Sequence, residues 1–518
     1  MNRQQMLDQL EQVHEWDIVI IGGGATGLGA AVDAASRSYK TLLVEQYDFA
    51  KGSSGRSTKL IHGGVRYLAQ GNIKLVRESL RERGLLLKNA PHICHNIPFV
   101  LPSFRWWEKW YYGIGLKFYD LLSGKLSLGK TIILSKRSTQ QLLPAVDPEK
   151  LRGAVLYHDG QFDDSRLAIA LAQTAAEQAA AIINYCKLIS ITKTNSRISG
   201  VVICDTITGK NYTLNCKIVI NATGVFTDMV MQLDDQLHKP MITVSQGIHI
   251  VVDKKLFPGN HAMIIPKTDD GRILFAVPWH DKVVIGTTDT PISEILIEPK
   301  PLAAEIDFII SHINRYLNTN IKHSDIRAVF AGLRPLIAVK GKKTTSFLPR
   351  DYTTVISTSG MITITGGKWT TYRTMGKAAV DKAVFAAKLP KRSCVTESLP
   401  LHGFSNDLII DDSLSVYGSD AASIEQLMNE QPHLKEKLHP RLPYTKATVL
   451  WAIRYEMAMT IEDVLARRTR ALFLDAKAAI DVAPVVAALM CEEMNKPKEW
   501  VGQQVKDFLQ VADQYLIH

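Results

Sequence analysis

Three groups of residues are spaced for chemistry on a phosphorylated ligand. The first is Gly22-x-Gly24-x-x-Gly27, set between the apolar run Ile18 to Ile21 and an Ala-rich stretch that begins at Leu28. In that spacing Gly22 permits a tight turn, Gly24 lets the backbone approach a pyrophosphate, and Gly27 lets helix pack closely on strand. The phosphates then rest on the helix N-terminus, with Gly22, Gly23, Gly24, Thr26 and Gly27 as the expected cradle. The second group is Phe49 to Leu68, dense in Gly, Ser and four cations, a mixture suited to wrapping phosphates and the edge of a ring system. The third is a pair of Gly-framed cations, Arg334 after Ala331-Gly332-Leu333 and Lys368 after Gly366-Gly367. Gly366 and Gly367 offer bare N–H groups ahead of a helix starting near Thr370, a second nest for negative charge. Pro335 is expected to end the strand before it and fix the presentation of Arg334. His249, taken alone, reads as a satisfied strand histidine. Asp163 and Asp164 could form a general-base pair, but capping of the following helix, by Asp164 or Ser165, is the better reading.

The elements that must position these residues follow from hydrophobic periodicity. Ile18 to Ile21 is apolar on both faces, as a buried parallel strand is, and Thr41-Leu42-Leu43-Val44 forms the next strand. That strand ends in Glu45, at the distance where an acidic residue binds a ribose hydroxyl, which completes a βαβ unit for a dinucleotide. The motif does not separate NAD from FAD. Residues 1–15 read as a polar helical lead-in and 73–90 as an amphipathic helix. Strands follow at 182–185, 199–203 and 216–220, the last running into Asn221-Ala222-Thr223-Gly224, a small-residue turn approaching the dinucleotide. From 241 to 345 alternating strands, separated by turns at Asp270-Gly271 and His280-Asp281, predict an antiparallel sheet. Beyond 390 the pattern is helical, with helices at 420–430, 445–455, 460–472, 476–494 and 498–515. The third of these, through Thr460 to Thr469, starts with a capping box and ends in cations, as a helix dipole prefers.

Composition bounds the class. The chain has 518 residues, 46% hydrophobic and 22% charged, which describes a folded protein of two or three domains. A net charge of +10 and a pI near 9.1 favour anionic partners: a phosphorylated substrate, anionic lipid or nucleic acid. The six Cys are scattered without metal-ligand spacing, so core thiols in a reducing compartment are expected, with no disulfide and no metal. No signal peptide and no membrane-spanning run are read, which predicts a cytoplasmic protein. Phe104 to Tyr119 concentrates Trp and Tyr among Lys and Arg, a mixture that suits either a bilayer interface or an aromatic core helix.

Ser57-Thr58-Lys59-Leu60-Ile61-His62-Gly63-Gly64-Val65-Arg66-Tyr67-Leu68, following Gly22 to Gly27, resembles the flavin-dependent glycerol-3-phosphate dehydrogenases, within the D-amino-acid-oxidase-like flavoproteins. Asn221 to Gly224, Gly247 to Val252, Ile285 to Asp289 and the segments around Arg334 and Lys368 carry the resemblance further. It implies FAD as the cofactor and an α/β fold: a Rossmann-type FAD-binding domain (1–100, 150–240 and 346–390), an antiparallel β-sheet substrate domain (101–149 and 241–345), and a C-terminal α-helical domain (391–518). It also implies that Glu45 holds the adenosine ribose, that the backbone near Leu188 touches the adenine, and that Ser57, Thr58, Lys59, Leu60, His62, Gly63 and Gly64 run past the pyrophosphate and flavin. Ala222, Thr223, Gly224, Gly366, Gly367, Lys368 and Thr370 complete the implied FAD contacts. The segment 104–119 is implied to face a membrane, giving a cytoplasmic protein held peripherally at the cytoplasmic membrane, with a homodimer as the candidate assembly.

The implied chemistry is oxidation of glycerol 3-phosphate to dihydroxyacetone phosphate, with electrons passing from the flavin to a membrane quinone. Hydride leaves the carbinol carbon while its hydroxyl loses a proton, so the site needs a base and positive groups around a phosphate dianion. A neutral His suits the base, and Arg suits phosphate through its two-pronged donors. His249 is thereby assigned to proton removal, Arg66, Arg334 and Lys368 to substrate binding and polarisation, and Tyr67 to the pocket wall. Three rivals compete: an oxidase returning the electrons to oxygen, an amine or amino-acid oxidoreductase on the same fold, and a basic flavoprotein acting on RNA. No RNA-binding signature is present, and nucleic acid is not an expected partner.

Overall fold

A computed structural model describes residues 1–69, 71–337, 351–406 and 413–517, and of these the side chains of Arg66 and Ala69 lie outside the description. The expected boundary at 345 and 346 falls outside the described residues.

The apolar run becomes the strand Glu15–Ile21, buried from Ile18 onward. It sits between parallel neighbours, Thr41–Val44 on one side and Asn211–Asn221 on the other. Across this first sheet the order is Tyr352–Ile356, Ile362–Gly366, Asn211–Asn221, Glu15–Ile21, Thr41–Val44 and Ala181–Ile183, with Cys186–Thr194 and Arg197–Asp205 attached through the middle strand. Burial on both faces explains the unbroken apolar runs. The helix Ala25–Ser36 lies over the sheet, between Asp164–Glu177 and Tyr372–Ala386. A methyl at Gly27 would stand 1.9 Å from the Gly22 carbonyl oxygen, so only glycine lets this helix start so close to the strand.

The second sheet is built on Ile242–Asp253, Lys282–Gly286, Leu274–Trp279 and Ala262–Ile265, consecutive antiparallel neighbours as the alternation predicts. It extends through Cys94–Ser103 and Gly153–Phe162 to Leu60–Ile61. The chain thus leaves the first sheet for the second immediately after the Gly- and Ser-rich loop, which places that loop at the junction of the two. Along Ile242–Asp253 the period of two divides the faces: Ile248, Ile250 and Val252 join a core beneath the helix Ala303–Asn314. Val251 joins Trp279, Ala328 and Phe330 in a core shared with the C-terminal helices.

Those helices are Ala421–Glu430, Lys446–Glu456, Ala476–Glu493 and Lys498–Ala512. Three local expectations are corrected. The capping box between Thr460 and Asp463 forms, but Asp463–Arg468 is wound with π geometry. Its arginines do not complement the helix end: they cross to the buried Asp48, Arg468 at 2.6 Å. The N-cap of Asp164–Glu177 is Asp163, which accepts from the Ser165 and Arg166 amides. Pro335 does not end its strand, because Ile326–Ile337 continues through it, pairing Pro335 with Val244. That strand has a described neighbour on one side only, and an edge tolerates a residue without an N–H.

Candidate active site

The two sheets enclose a cleft of about 860 Å³. One end is lined by Cys186, Leu188 and Ile189 with Met229 and Leu233, an apolar slot for a flat heterocycle. The middle holds Gly22, Gly24, Thr26, Ser54 and the turn Ala222-Thr223-Gly224 at the start of Ala25–Ser36, where backbone amides and the helix dipole suit phosphates. The far end gathers Thr58, Leu60, His62, His249, Arg334, Gly366, Gly367, Lys368 and Thr370 around Phe275. Residues from positions 21 to 370 are thus brought to one cavity, whose apolar, Gly-rich and cationic linings are those a dinucleotide with an adjacent anionic substrate requires. The donor set and these linings fit FAD.

Glu45 lines the cleft, and its two carboxylate oxygens accept from the Gly23 amide at 2.7 Å and the Tyr47 amide at 2.9 Å. Burial raises its pKa against these two donors. Gly23 and Gly27 serve from behind the surface, Gly23 by holding Glu45 and Gly27 by close packing. The cradle is braced from the neighbouring loop: Ser54 Oγ accepts from the Ala25 amide at 2.9 Å, and Trp369 Nε1 donates to the Ser54 carbonyl at 2.8 Å. Ser54 was not among the expected contacts. Its signal was present in the Gly52-Ser53-Ser54-Gly55 run, but a sequence cannot show which serine reaches the first helix turn.

Lys59 departs from the expectation of a cation facing the ligand. Its backbone is left-handed, with φ of +64°, and its ammonium turns inward, fully buried, 2.6 Å from Asp164 and 3.0 Å from the Gly55 carbonyl. The rings of Trp279, Phe330 and Phe473 surround it at 5.3, 5.4 and 5.3 Å. Burial, and then the Arg470 charge, lower its pKa to about 7 despite Asp164. Asp164 also accepts from the Ser57 amide and hydroxyl and from Arg470. It is therefore the anchor of the Ser57 to Lys59 loop. Gly63 donates to the Tyr119 hydroxyl at 2.8 Å, and that hydroxyl donates to Asp159. Gly64 lies under the Tyr67 ring, so neither glycine lines the cleft. Lys368 Nζ stands 3.9 Å from the centre of the same ring. Arg66 lies in the short helix Val65–Ala69, and its side chain is outside the description.

His249 is buried at the cleft wall, stacked on Phe330 at 4.9 Å. Thr58 Oγ1 is 2.9 Å from its Nε2, while Nδ1 has no hydrogen-bond partner among the described residues. Desolvation, then the Arg334 and Lys59 charges, hold its pKa well below the ordinary 6.5, so the ring is neutral at physiological pH. Arg334 crosses the strand Ile242–Asp253, its Nη2 donating to Thr287 Oγ1 at 2.9 Å and to the Thr288 carbonyl at 3.0 Å. The arrangement supplies a neutral proton acceptor within a cleft that also carries two cations. Among the described residues no His, Cys, Asp and Glu group is arranged to hold a metal ion.

Comparison with known proteins agrees with this geometry. Residues 17–373 match the family model described as FAD dependent oxidoreductase, and residues 362–500 match the C-terminal domain of alpha-glycerophosphate oxidase. The chain is similar to the mitochondrial glycerol-3-phosphate dehydrogenase of Rattus norvegicus, 37% identical over all of this chain and 75% of that protein. It is also similar to a probable mitochondrial glycerol-3-phosphate dehydrogenase of Dictyostelium discoideum, 37% identical over 99% of this chain and 86% of that protein. Among solved structures, the glycerol-3-phosphate dehydrogenase from Bacillus halodurans complexed with FAD superposes with a TM-score of 0.80 at 26% identity, covering 99% of this chain and 97% of that one.

Proposed function

The chain belongs to the FAD-dependent oxidoreductases, in the branch that holds the glycerol-3-phosphate dehydrogenases, and from that premise we propose that it oxidises sn-glycerol 3-phosphate to dihydroxyacetone phosphate and delivers the electrons to a membrane quinone. The observation that carries the reading is that His249, Arg334 and Lys368 line the same cleft as the Gly22 to Thr26 turn and Glu45. FAD, when bound, supplies the hydride acceptor. His249 takes the hydroxyl proton as a neutral imidazole, with Thr58 Oγ1, which also lines the cleft, 2.9 Å from its Nε2. Arg334 and Lys368 neutralise the substrate phosphate, Arg334 through its planar fork and Lys368 as a point charge over Tyr67. Arg66 is a further phosphate partner in this reading. Glu45 binds the adenosine ribose through the remaining lone pairs of its carboxylate.

Membrane delivery of the electrons is supported by the helix Glu108–Ser123. Its buried side is Gly113, Leu116, Tyr119 and Ser123, whereas Tyr111, Ile114 and Leu121 are 65, 73 and 74% exposed. Trp106 and Trp110 continue that face at 76 and 55%. Wet aromatic and aliphatic side chains on one helix face, with Lys109 and Lys117 beside them, suit a bilayer surface. No helix among the described residues is long and apolar enough to cross a membrane, so the proposed attachment is peripheral.

The test is anaerobic titration of the yellow protein with glycerol 3-phosphate. Flavin bleaching by this substrate and not by glycerol supports the reading, and a spectrum indifferent to it refutes it. Because residues 362–500 match a domain described for an oxidase, the acceptor is decided separately. Reoxidation by a soluble quinone without peroxide supports the dehydrogenase, and stoichiometric peroxide in air supports the oxidase.

A further inference from the structure

Resting on the phosphate-substrate reading, we propose that Glu305 is a positioning residue that sets the affinity for the substrate phosphate by fixing two of the three hydrogen-bond acceptors that aim Arg334. Glu305 is buried in the first turn of Ala303–Asn314 and does not line the cleft. Its Oε1 accepts from the hydroxyls of Thr288 at 2.8 Å and Thr290 at 2.6 Å, and its Oε2 from Gln246 Nε2 at 2.8 Å and the Leu302 amide at 3.1 Å. A buried carboxylate is tolerated because donors of this number replace its water.

The residues it grips are those that flank the guanidinium. Arg334 donates to the Thr288 carbonyl, to Thr287 Oγ1 and, at 3.4 Å, to the Gln246 carbonyl. Thr288 and Gln246 are thus held through their side chains by Glu305 and used through their carbonyls by Arg334. The Thr288 hydroxyl also accepts from the Ile248 amide at 3.0 Å, which pins the Thr287 to Thr290 turn to the strand Ile242–Asp253. The strand leaves one path across its surface: a methyl at Gly247 would stand 2.1 Å from Arg334 Nη2 and 2.5 Å from Thr287 Oγ1. Arg334 therefore lies in a trough with Gly247 as its floor; Glu305, behind the site, holds Thr288 and Gln246 on its walls, and the Asp289 carboxylate stands 3.5 Å from Arg334 Nη1.

Glu305→Gln keeps the shape but replaces one acceptor oxygen with a donor, so at least one wall is released. The expected result in the full-length flavoprotein is a KM for glycerol 3-phosphate raised about tenfold, with kcat and flavin content within twofold of wild type. The dissociation constant for inorganic phosphate, read from perturbation of the flavin spectrum, rises by the same factor. In an Arg334→Met background the added Glu305→Gln changes either constant less than twofold, since the group being aimed is gone. A yellow, folded Glu305→Gln protein with unaltered KM and phosphate affinity overturns the proposal, as does an effect that persists undiminished beside Arg334→Met. Should Glu305→Gln fail to fold, Thr290→Val and Gly247→Ala decide: both must weaken phosphate binding, and unchanged binding in either overturns it. A wild type that binds phosphate but is not reduced by glycerol 3-phosphate counts against the substrate reading alone, because phosphate affinity still reports on Glu305.

Discussion

Lys59 offers a quantitative test of how the loop beneath His249 is held. Its ammonium is fully buried among three aromatic rings, and burial with the Arg470 charge carries its pKa from the ordinary 10.5 down to about 7. At about 1.4 kcal/mol per pH unit, that displacement is a penalty of about 5 kcal/mol for folding with the proton on. Between the two values the native state binds fewer protons than the unfolded chain, so raising the pH must stabilise the fold. The penalty is complete below pH 7 and vanishes as the pH approaches 10.5. Lys59→Met removes the titration and leaves Asp164 with Ser57 and Arg470 as partners. Urea unfolding of wild type and variant should therefore diverge with pH: the stability difference, wild type minus variant, should grow by about 2 kcal/mol from pH 7 to pH 9. Taking the difference cancels every other group that titrates in that range. A difference that stays flat, or shrinks as the pH rises, would show that the ammonium is not desolvated as the geometry requires and would refute the argument.

Three further outcomes follow from the same geometry. His249→Ala should keep its flavin while flavin reduction by glycerol 3-phosphate, followed by stopped flow, slows by roughly 10²–10⁴-fold; reduction at the wild-type rate would remove His249 as the base. Gly27→Ala places a methyl 1.9 Å from the Gly22 carbonyl oxygen, so the purified protein should be colourless and refuse added FAD, and a yellow variant of normal flavin content would contradict the close packing. Replacing Trp106, Trp107 and Trp110 with Ser should release the protein from anionic vesicles in a flotation assay with its flavin spectrum intact; undiminished binding would place the contact elsewhere.

Much of the architecture was legible because it rests on local periodicity. Ile18 to Ile21 and Thr41 to Val44 read as buried strands, and the strands Ala262–Ile265, Leu274–Trp279 and Lys282–Gly286 pair as successive antiparallel neighbours across the turns read between them. Four of the five helices expected after 420 emerge near their expected ends because caps and apolar spacing lie within single turns, whereas 460–472 divides into the π-wound Asp463–Arg468 and the short Ala471–Leu474. What misled was context. Pro335 reads as a strand terminator until the edge position of Ile326–Ile337 is known. Arg467 and Arg468 read as dipole-complementing cations until they are found on Asp48, more than four hundred positions earlier.

The sequence by itself determined the nucleotide grip, since Gly22, Gly24 and Gly27 act through backbone shape over six residues, and it marked Arg334, Lys368 and His249 as candidates. Only the tertiary structure decided which cations face the cleft. Lys59, embedded in the most telling motif, turns away to Asp164, while Arg334 crosses the neighbouring strand to the Thr288 carbonyl and stands 3.5 Å from the Asp289 carboxylate. The physical reason is that a charge buried in a protein goes to whichever opposite charge the packing brings near, and that partner is chosen by contacts between sheets rather than by neighbours along the chain.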